Sequence, residues 1–192
     1  MAKQRIDAGR VVDQAVALVD TEGLHDLALN RVAEELGVQA SALYNHVEGL
    51  DGLKEAVSLR STENLASALR DAAVGRSGEQ AVRAVATAYR AFATTHPGQY
   101  ASTIIPPTGT GSASEPQTSI LDVLARILET YDLEGDAAVH TARVVRSAIH
   151  GFVTLEANNA FTSPQDTDGS FAALLDFVVR GLNNLEPEAA AS

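Results

Sequence analysis

Side chains that can hydrogen-bond to base edges gather in one short stretch of this sequence, directly after the Leu-Gly-Val turn at residues 36–38. Gln39 and Asn45 carry amides and Ser41 carries a hydroxyl, and an asparagine can make a bidentate contact to adenine. Ala40 shares their side of the stretch and is small enough for a crowded groove. These residue types at this spacing predict contacts with bases in the major groove of DNA.

Two short helices joined by a glycine are needed to present these side chains. In the first helix, Asn30 is the predicted N-cap and Gly37 is the left-handed residue that ends the helix. Its apolar face consists of Val32, Ala33 and Leu36. Val38 would fill the angle between the helices, and the second helix would begin near residue 39 and continue through Val47. This is the helix-turn-helix pattern, although the same turn also joins αα-hairpins that bind nothing.

Further motifs at fixed distances from the turn favour DNA binding. Leu43, Tyr44, His46 and Val47 follow the turn, and the preceding helix ends in Thr21-Glu22-Gly23-Leu24. Together these motifs resemble the TetR (tetracycline-repressor-like) family of bacterial transcription regulators, over the first quarter to third of the chain. The resemblance implies an all-α fold, in which an N-terminal three-helix helix-turn-helix domain (residues 1–54) is joined by a long helix to a C-terminal helical ligand-binding and dimerisation domain (residues 55–192). It also implies that Tyr44 and His46 contact phosphates.

Basic residues that could meet further DNA phosphates are few. The candidates are Lys3, Arg5, Arg31 and Lys54, and Arg31 lies at the start of the helix that precedes the Gly37 turn, where backbone N–H groups favour an anion. The chain carries a net charge of −11, and residues 1–54 hold five bases against nine acids. This balance opposes binding to a polyanion, so the contacts must depend on local placement and on their doubling in a dimer. Residues 48–51 are also acidic, where the resembled family commonly carries a lysine.

Apolar periodicity predicts helices along the rest of the chain. The first helix should extend from its N-cap Asp7 to Thr21, and a long fourth helix should extend from Leu50 to about Ala73. The other predicted helices cover residues 79–95, 114–131, 136–155 and 170–185. A Pro/Gly-rich loop at 106–116 contains only a fragment of a phosphate-binding glycine pattern, which makes a nucleotide site a poor interpretation.

A regulator of the resembled family needs a cavity for a small-molecule effector, coupled to the long fourth helix. The strings His96-Pro97-Gly98 and His150-Gly151-Phe152 resemble a subgroup of the family, and proline and glycine should stop the fifth helix. The residues predicted to line the cavity form an apolar wall with a few polar groups: Tyr89, Phe92, His96, Tyr100, Leu124, Ile127, His150 and Phe152. Each one, taken alone, is better explained as a core residue, and the sequence does not identify the effector.

The last two helices carry more apolar surface than one core needs, in two adjacent stripes each. Ala148 and Gly151 are small enough to permit close approach of another helix. We therefore expect these helices to pack against their copies in a homodimer, as a four-helix interface. The predicted interface residues are Val145, Ala148, Ile149, Phe152, Leu174, Val178 and Leu182. The alternative is a thoroughly buried monomer core.

Other functional classes have less support. The chain has no cysteine, which excludes disulfides, thiolate metal sites and cysteine nucleophiles. Glu22 and His25 flank a helix-ending glycine, and the later helices lack the paired Glu-x-x-His motifs of helical di-metal sites. We expect no catalytic residue, metal or cofactor, no membrane segment, and a cytoplasmic location. A helical protein-interaction adaptor without DNA binding, or a helical-bundle enzyme, is the alternative to a ligand-responsive repressor.

Overall fold

The protein is helical in its computed structural model. The structure describes residues 6–104 and 115–185, with the backbone alone for 115–119. The elements are α1 (Ala8–Glu22), α2 (Leu29–Leu36), α3 (Ala40–Leu43), α4 (Gly49–Ala73), α5 (Gly78–Thr95), α6 (Pro97–Ser102), α7 (Glu115–Leu128), a 3-10 turn (Glu129–Tyr131), α8 (Gly135–Ala157) and α9 (Thr167–Asn183). The prediction of an all-α fold is confirmed, since these residues contain no strand. Lys3, Arg5 and residues 106–114 of the predicted loop lie outside the described residues.

Two compact units divide the chain. The first contains Met1–Asn64 and Thr95–Pro116, and the second contains Leu65–Thr94 and Gln117–Ser192. The predicted domain boundary at residue 54 remains a prediction, whereas compactness groups residues 55–64 and α6 with the N-terminal helices.

Helix α1 supplies much of the first unit's core. Asp7 caps it as predicted, because its Oδ1 accepts the N–H of Arg10 at 2.8 Å. Gly23 ends the helix at φ +89°. The predicted apolar face is buried, and it packs with residues of α2, α3 and α4: Val12, Ala15, Val16, Val19, Val32, Leu43, Leu53 and Val57. α1 therefore supports the two short helices of the motif from behind.

A short helix that the sequence did not predict, α6, packs against α1. Pro97 does end α5, but it also occupies the first turn of a new helix, where its missing N–H costs nothing. A Cβ built on Gly98 would lie 1.8 Å from the carbonyl oxygen of Val19. Glycine is therefore required at this position for the backbones of α6 and α1 to approach so closely.

The second unit is built from α5, α7, α8, α9 and the end of α4. α5 buries the face that the sequence predicted: Val82, Val85, Ala86, Tyr89, Phe92 and Ala93. Arg90 of α5 donates from Nε to Oε2 of Glu156 at 2.7 Å, and it also pairs with Asp168 at 2.7 Å. The guanidinium carbon lies 4.8 Å from the centroid of the Phe171 ring. Arg90 thus joins α5 to α8 and α9, and its hydrogen bond lowers the pKa of Glu156.

Candidate nucleic-acid interface and ligand sites

The turn at Gly37 sets the geometry of the helix-turn-helix motif. Gly37 adopts φ +66°, and its N–H donates to the carbonyl oxygen of Glu34 at 3.0 Å. The N–H of Val38 donates to the carbonyl oxygen of Ala33 at 2.9 Å, and the Val38 side chain packs on the core cluster as predicted. These bonds satisfy the last carbonyls of α2 and direct the chain into α3.

Both helices of the motif differ from the prediction at one end. Ala28, not Asn30, is the N-cap of α2, so Asn30 already lies in the first turn and its predicted capping role is wrong. α3 covers only four residues, and the prediction of a helix through Val47 is also wrong. The N–H of His46 donates to the carbonyl oxygen of Leu43 at 2.8 Å, three residues back, which tightens the chain into a turn there.

Three of the four predicted base-contact residues are exposed: Gln39, Ser41 and Asn45, together named here the polar face. Gln39 is the N-cap residue of α3, and Asn45 lies in the turn that follows the helix. Ala40 differs, because it is half-buried and packs against the core cluster. Tyr44 is 62% exposed, and His46 is half-buried. The structure thus presents the polar face and Tyr44 to solvent, while their contacts with DNA remain a prediction.

Arg31 is held by three carboxylates. Its NH2 lies 2.8 Å from Oε1 of Glu22, and its NH1 lies 2.6 Å from Oε1 of Glu35 and 3.3 Å from Oε2 of Glu34. The hydrogen bonds to Glu22 and Glu35 raise the pKa of the guanidinium. A phosphate contact by Arg31 remains a prediction, and it requires the side chain to exchange these carboxylates for the phosphate.

The acidic residues 48–51 lie mostly in the first turn of α4, which begins at Gly49. Lys54, a predicted phosphate contact, is half-buried on the same helix. A groove of about 870 Å³ runs beside these residues, and its lining includes Tyr44, Asn45, His46, Glu48, Glu55 and Glu63. The predicted phosphate contacts of Tyr44 and His46 therefore lie next to carboxylates, a juxtaposition that weakens attraction to DNA.

The predicted effector-site residues divide between the two units. Tyr89, Phe92, Leu124 and Ile127 are buried in the second unit. His150 is half-buried beside them, with Nδ1 at 3.4 Å from the Tyr89 hydroxyl, and burial with the nearby charge of Arg146 lowers its pKa. Phe152 packs against other rings, with its centroid 5.1 Å from that of Phe171.

His96 and Tyr100 belong to the first unit, and their predicted place at the effector site remains a prediction. His96 Nδ1 lies 2.9 Å from Oδ2 of Asp20 on α1, and the backbone N–H of Gln99 donates to Oδ1 of the same carboxylate at 2.8 Å. Gln99 also accepts a hydrogen bond from Asn64 at 2.8 Å. The His-Pro string therefore supplies contacts between α6, α1 and α4, because Pro97 begins a helix whose first turn faces Asp20.

A cavity of about 500 Å³ in the second unit was not predicted. Ile127 contributes to it, together with three arginines: Arg70, Arg76 and Arg126. Arg126 lies fifty residues after Arg76, and the three arginines follow no recognisable motif, so no sequence signal pointed to them.

The helices predicted to form a dimer present a partly different apolar surface. Val145, Ile149 and Leu182 are buried within the unit, and Val145 and Leu182 also line a groove between α8 and α9, so their place at an interface remains a prediction. The most exposed apolar side chains of α8 and α9 are Val144 at 69% and Phe177 at 76%. A groove of about 640 Å³ runs along the two helices, and its lining includes Val144, Ala148, Leu174, Phe177 and Val178, named here the apolar face. Phe152 packs against the rings of Phe161 and Phe171, and its place at the interface remains a prediction.

Within 6–104 and 115–185, no three His, Asp or Glu side chains gather closely enough to bind a metal ion. Over the same ranges, every helix is too short or too polar to cross a bilayer.

Known proteins match both the sequence and the fold. Residues 82–178 match the family described as tetracyclin repressor-like, C-terminal domain. The uncharacterized HTH-type transcriptional regulator Rv0681 of Mycobacterium tuberculosis is 34% identical over 173 residues, which cover 88% of this chain and 77% of that protein.

Solved structures share the architecture at lower identity. A TetR transcriptional regulator from Streptomyces coelicolor, SCO7222, superposes with a TM-score of 0.74 at 20% identity, covering 93% of this chain and 98% of that one. BioQ, crystallised with its double-stranded DNA operator, superposes with a TM-score of 0.64 at 20% identity, covering 92% and 99%.

Proposed function

We propose that this chain, which belongs to the TetR family of helix-turn-helix transcriptional regulators, binds a palindromic DNA operator as a homodimer and represses transcription there. The observation that carries the proposal is the polar face, whose amide and hydroxyl groups are exposed at the two ends of α3. Water satisfies these groups in the free protein, and base edges offer them equivalent partners. BioQ, which has the same fold, has been crystallised with its operator.

The proposed contacts divide by chemistry. Gln39, Ser41 and Asn45 meet base edges and give sequence preference, whereas Tyr44 and His46 meet phosphates and fix the register. Arg31, Lys54, Lys3 and Arg5 are proposed to add phosphate contacts. Because residues 1–54 hold only five bases, they can neutralise few phosphates and should release few counterions, so affinity should fall less steeply with salt than for a strongly basic repressor.

The homodimer is proposed to form through the apolar face. Leaving Phe177 and Val144 in water is unfavourable, and a second copy of the same face would cover both. Two copies of α3 then engage two half-sites together, which raises the affinity far above that of one subunit. A small-molecule effector that changes the spacing of the two α3 helices would release the operator.

We also propose that the protein acts in the cytoplasm and has no catalytic activity, since the family and the relative that it matches are named for transcription regulation. A protein-interaction adaptor would use the same exposed helices without DNA, and it leaves the polar face without a role.

The test is fluorescence anisotropy of the purified protein with DNA flanking its own coding region, titrated against salt, with random DNA of equal length as the control. We expect selective binding to one flanking fragment that weakens with salt. Equal affinity for both DNAs, or no binding at low salt, would overturn the proposal in favour of the adaptor.

A further inference from the structure

The unpredicted cavity of the second unit has an apolar floor. It lies between the end of α4, the α4–α5 turn and α7, with a volume of about 500 Å³. Val123 and Ile127 of α7 are buried beneath it, and Ala73 of α4 completes the floor. Small-molecule sites have volumes of about 300–1,000 Å³ and are mostly apolar. The cavity therefore has the size and the floor of a site for a small organic molecule.

The rim of this cavity is positively charged. Arg70, Arg76 and Arg126 stand around it with their side chains exposed, against the single carboxylate of Asp122, a net charge of +2. The hydroxyls of Ser77 and Thr130 also reach the lining. A local excess of positive charge in a chain of net charge −11 attracts an anion to this place rather than to the protein in general.

These arginines differ from the paired arginines of the same protein. Arg31, Arg60, Arg83 and Arg90 each lie within 4.0 Å of one or more carboxylates. Across the part of the chain that the structure describes, Arg70, Arg76 and Arg126 form no such pair, and Asp122, one helical turn before Arg126, does not reach it. Arg76 donates from NH1 to the carbonyl oxygen of Ala72 at 2.9 Å, which fixes it at the end of α4.

We propose that this cavity binds an amphipathic anion: a small molecule with an apolar body and one carboxylate, sulfonate or phosphate group. The apolar body lies on Val123 and Ile127, and the anionic group receives hydrogen bonds from Arg70 and Arg126. Arginine suits this role because its planar guanidinium can donate two parallel hydrogen bonds to such a group. Binding of this anion does not depend on the proposed function, whereas its role as the effector rests on it.

A matched pair of fluorescent probes separates charge recognition from apolar binding. 8-Anilinonaphthalene-1-sulfonate carries a sulfonate, and N-phenyl-1-naphthylamine has the same rings without it. Each is titrated into the full chain, into the double variant Arg70→Gln/Arg126→Gln, and into the control Arg143→Gln/Arg146→Gln. The control removes two α8 arginines that also form no ion pair among the described residues, so both variants change the net charge equally.

We expect the sulfonate probe to bind the unmodified chain more tightly than the neutral probe. The Arg70→Gln/Arg126→Gln variant should lose about tenfold or more of this affinity, while the control and the neutral probe show little change. Equal binding of the two probes, or equal loss in the control variant, would overturn the proposal. Thermal unfolding of each variant establishes that the fold is retained, and the single variant Arg126→Gln serves if the double variant does not fold.

The two proposals fail separately, because the probe titration contains no DNA. Sulfonate binding that depends on Arg70 and Arg126, in a protein without operator affinity, would retain the anion site and reject the DNA-binding function. Operator binding without any charge-dependent probe binding would retain the DNA-binding function and reject the anion site.

Discussion

The polar face of α3 and the apolar face of α8 and α9 are both exposed, but contact with water is favourable for the first and unfavourable for the second. The amides and hydroxyl of Gln39, Ser41 and Asn45 are hydrogen-bonded by water, so this face is stable when empty. Phe177 is 76% exposed, and covering it and Val144 with another apolar surface lowers the free energy. The polar face therefore suits a partner that binds and dissociates, and the apolar face suits a permanent one.

Breaking the apolar face should have the largest effect. Phe177→Asp places a charge where a second copy is expected, so we expect monomers in sedimentation velocity. Operator affinity should then fall by about a hundredfold or more, because two half-sites are no longer bound together.

The matched control is Val74→Asp, since Val74 is a similarly exposed apolar residue (72%) outside α8 and α9. It should leave the dimer intact. A dimeric Phe177→Asp protein with full operator affinity would mean that subunits associate elsewhere.

The support behind the polar face can be broken at Gly98. Gly98→Ala would place a Cβ 1.8 Å from the carbonyl oxygen of Val19, so α6 and α1 must separate. We expect a loss of about 1–3 kcal/mol in the free energy of unfolding, measured by urea denaturation.

Gly9→Ala is the control for this change, because the nearest atom to its new Cβ, Oδ1 of Asp7, lies at an ordinary 3.4 Å. Alanine is the better helix former, so this variant should be neutral or slightly more stable. If Gly98→Ala is equally stable, the close contact of α6 with α1 is not required.

The smallest expected effect concerns Arg31, the one predicted phosphate contact within the described residues that is paired with carboxylates. Glu35→Gln removes the carboxylate 2.6 Å from NH1, so affinity for every DNA should rise by about two- to threefold. Glu79→Gln, which removes a partner of Arg83 in the second unit, makes the same change in net charge and serves as the control. An equal rise in both variants would show that net charge alone, and not release of Arg31, is responsible.

The sequence predicted the long helices well, because apolar residues that repeat over four or more turns leave little choice of conformation. α1, α4 and α5 lie within one or two residues of their predicted bounds. α3 was predicted too long because Leu43 and Val47 continue the helical spacing, although the chain tightens into a turn after Leu43. α6 was not predicted, because a proline that ends one helix can also occupy the first turn of the next, and the sequence does not distinguish the two.

The sites were less predictable than the helices. The polar face was found because its residues are contiguous and follow a recognisable turn. The pairing of Arg31 with Glu22 could not be foreseen, since nine residues and a change of helix separate them. The arginine cavity was missed for the same reason, because α4 and α7 must fold together before Arg70 and Arg126 share one rim.

The most direct test of the account is the effect of Asn45→Ala on two affinities, measured by anisotropy at one salt concentration: the affinity for the operator and the affinity for random DNA. If the polar face contacts base edges, the free energy of operator binding should become less favourable by about 1–3 kcal/mol, while that of binding to random DNA stays unchanged. Asn183→Ala, an exposed asparagine of α9, should change neither affinity. An equal loss on both DNAs would show that Asn45 contacts only the backbone, and no loss on either would contradict the role of the polar face.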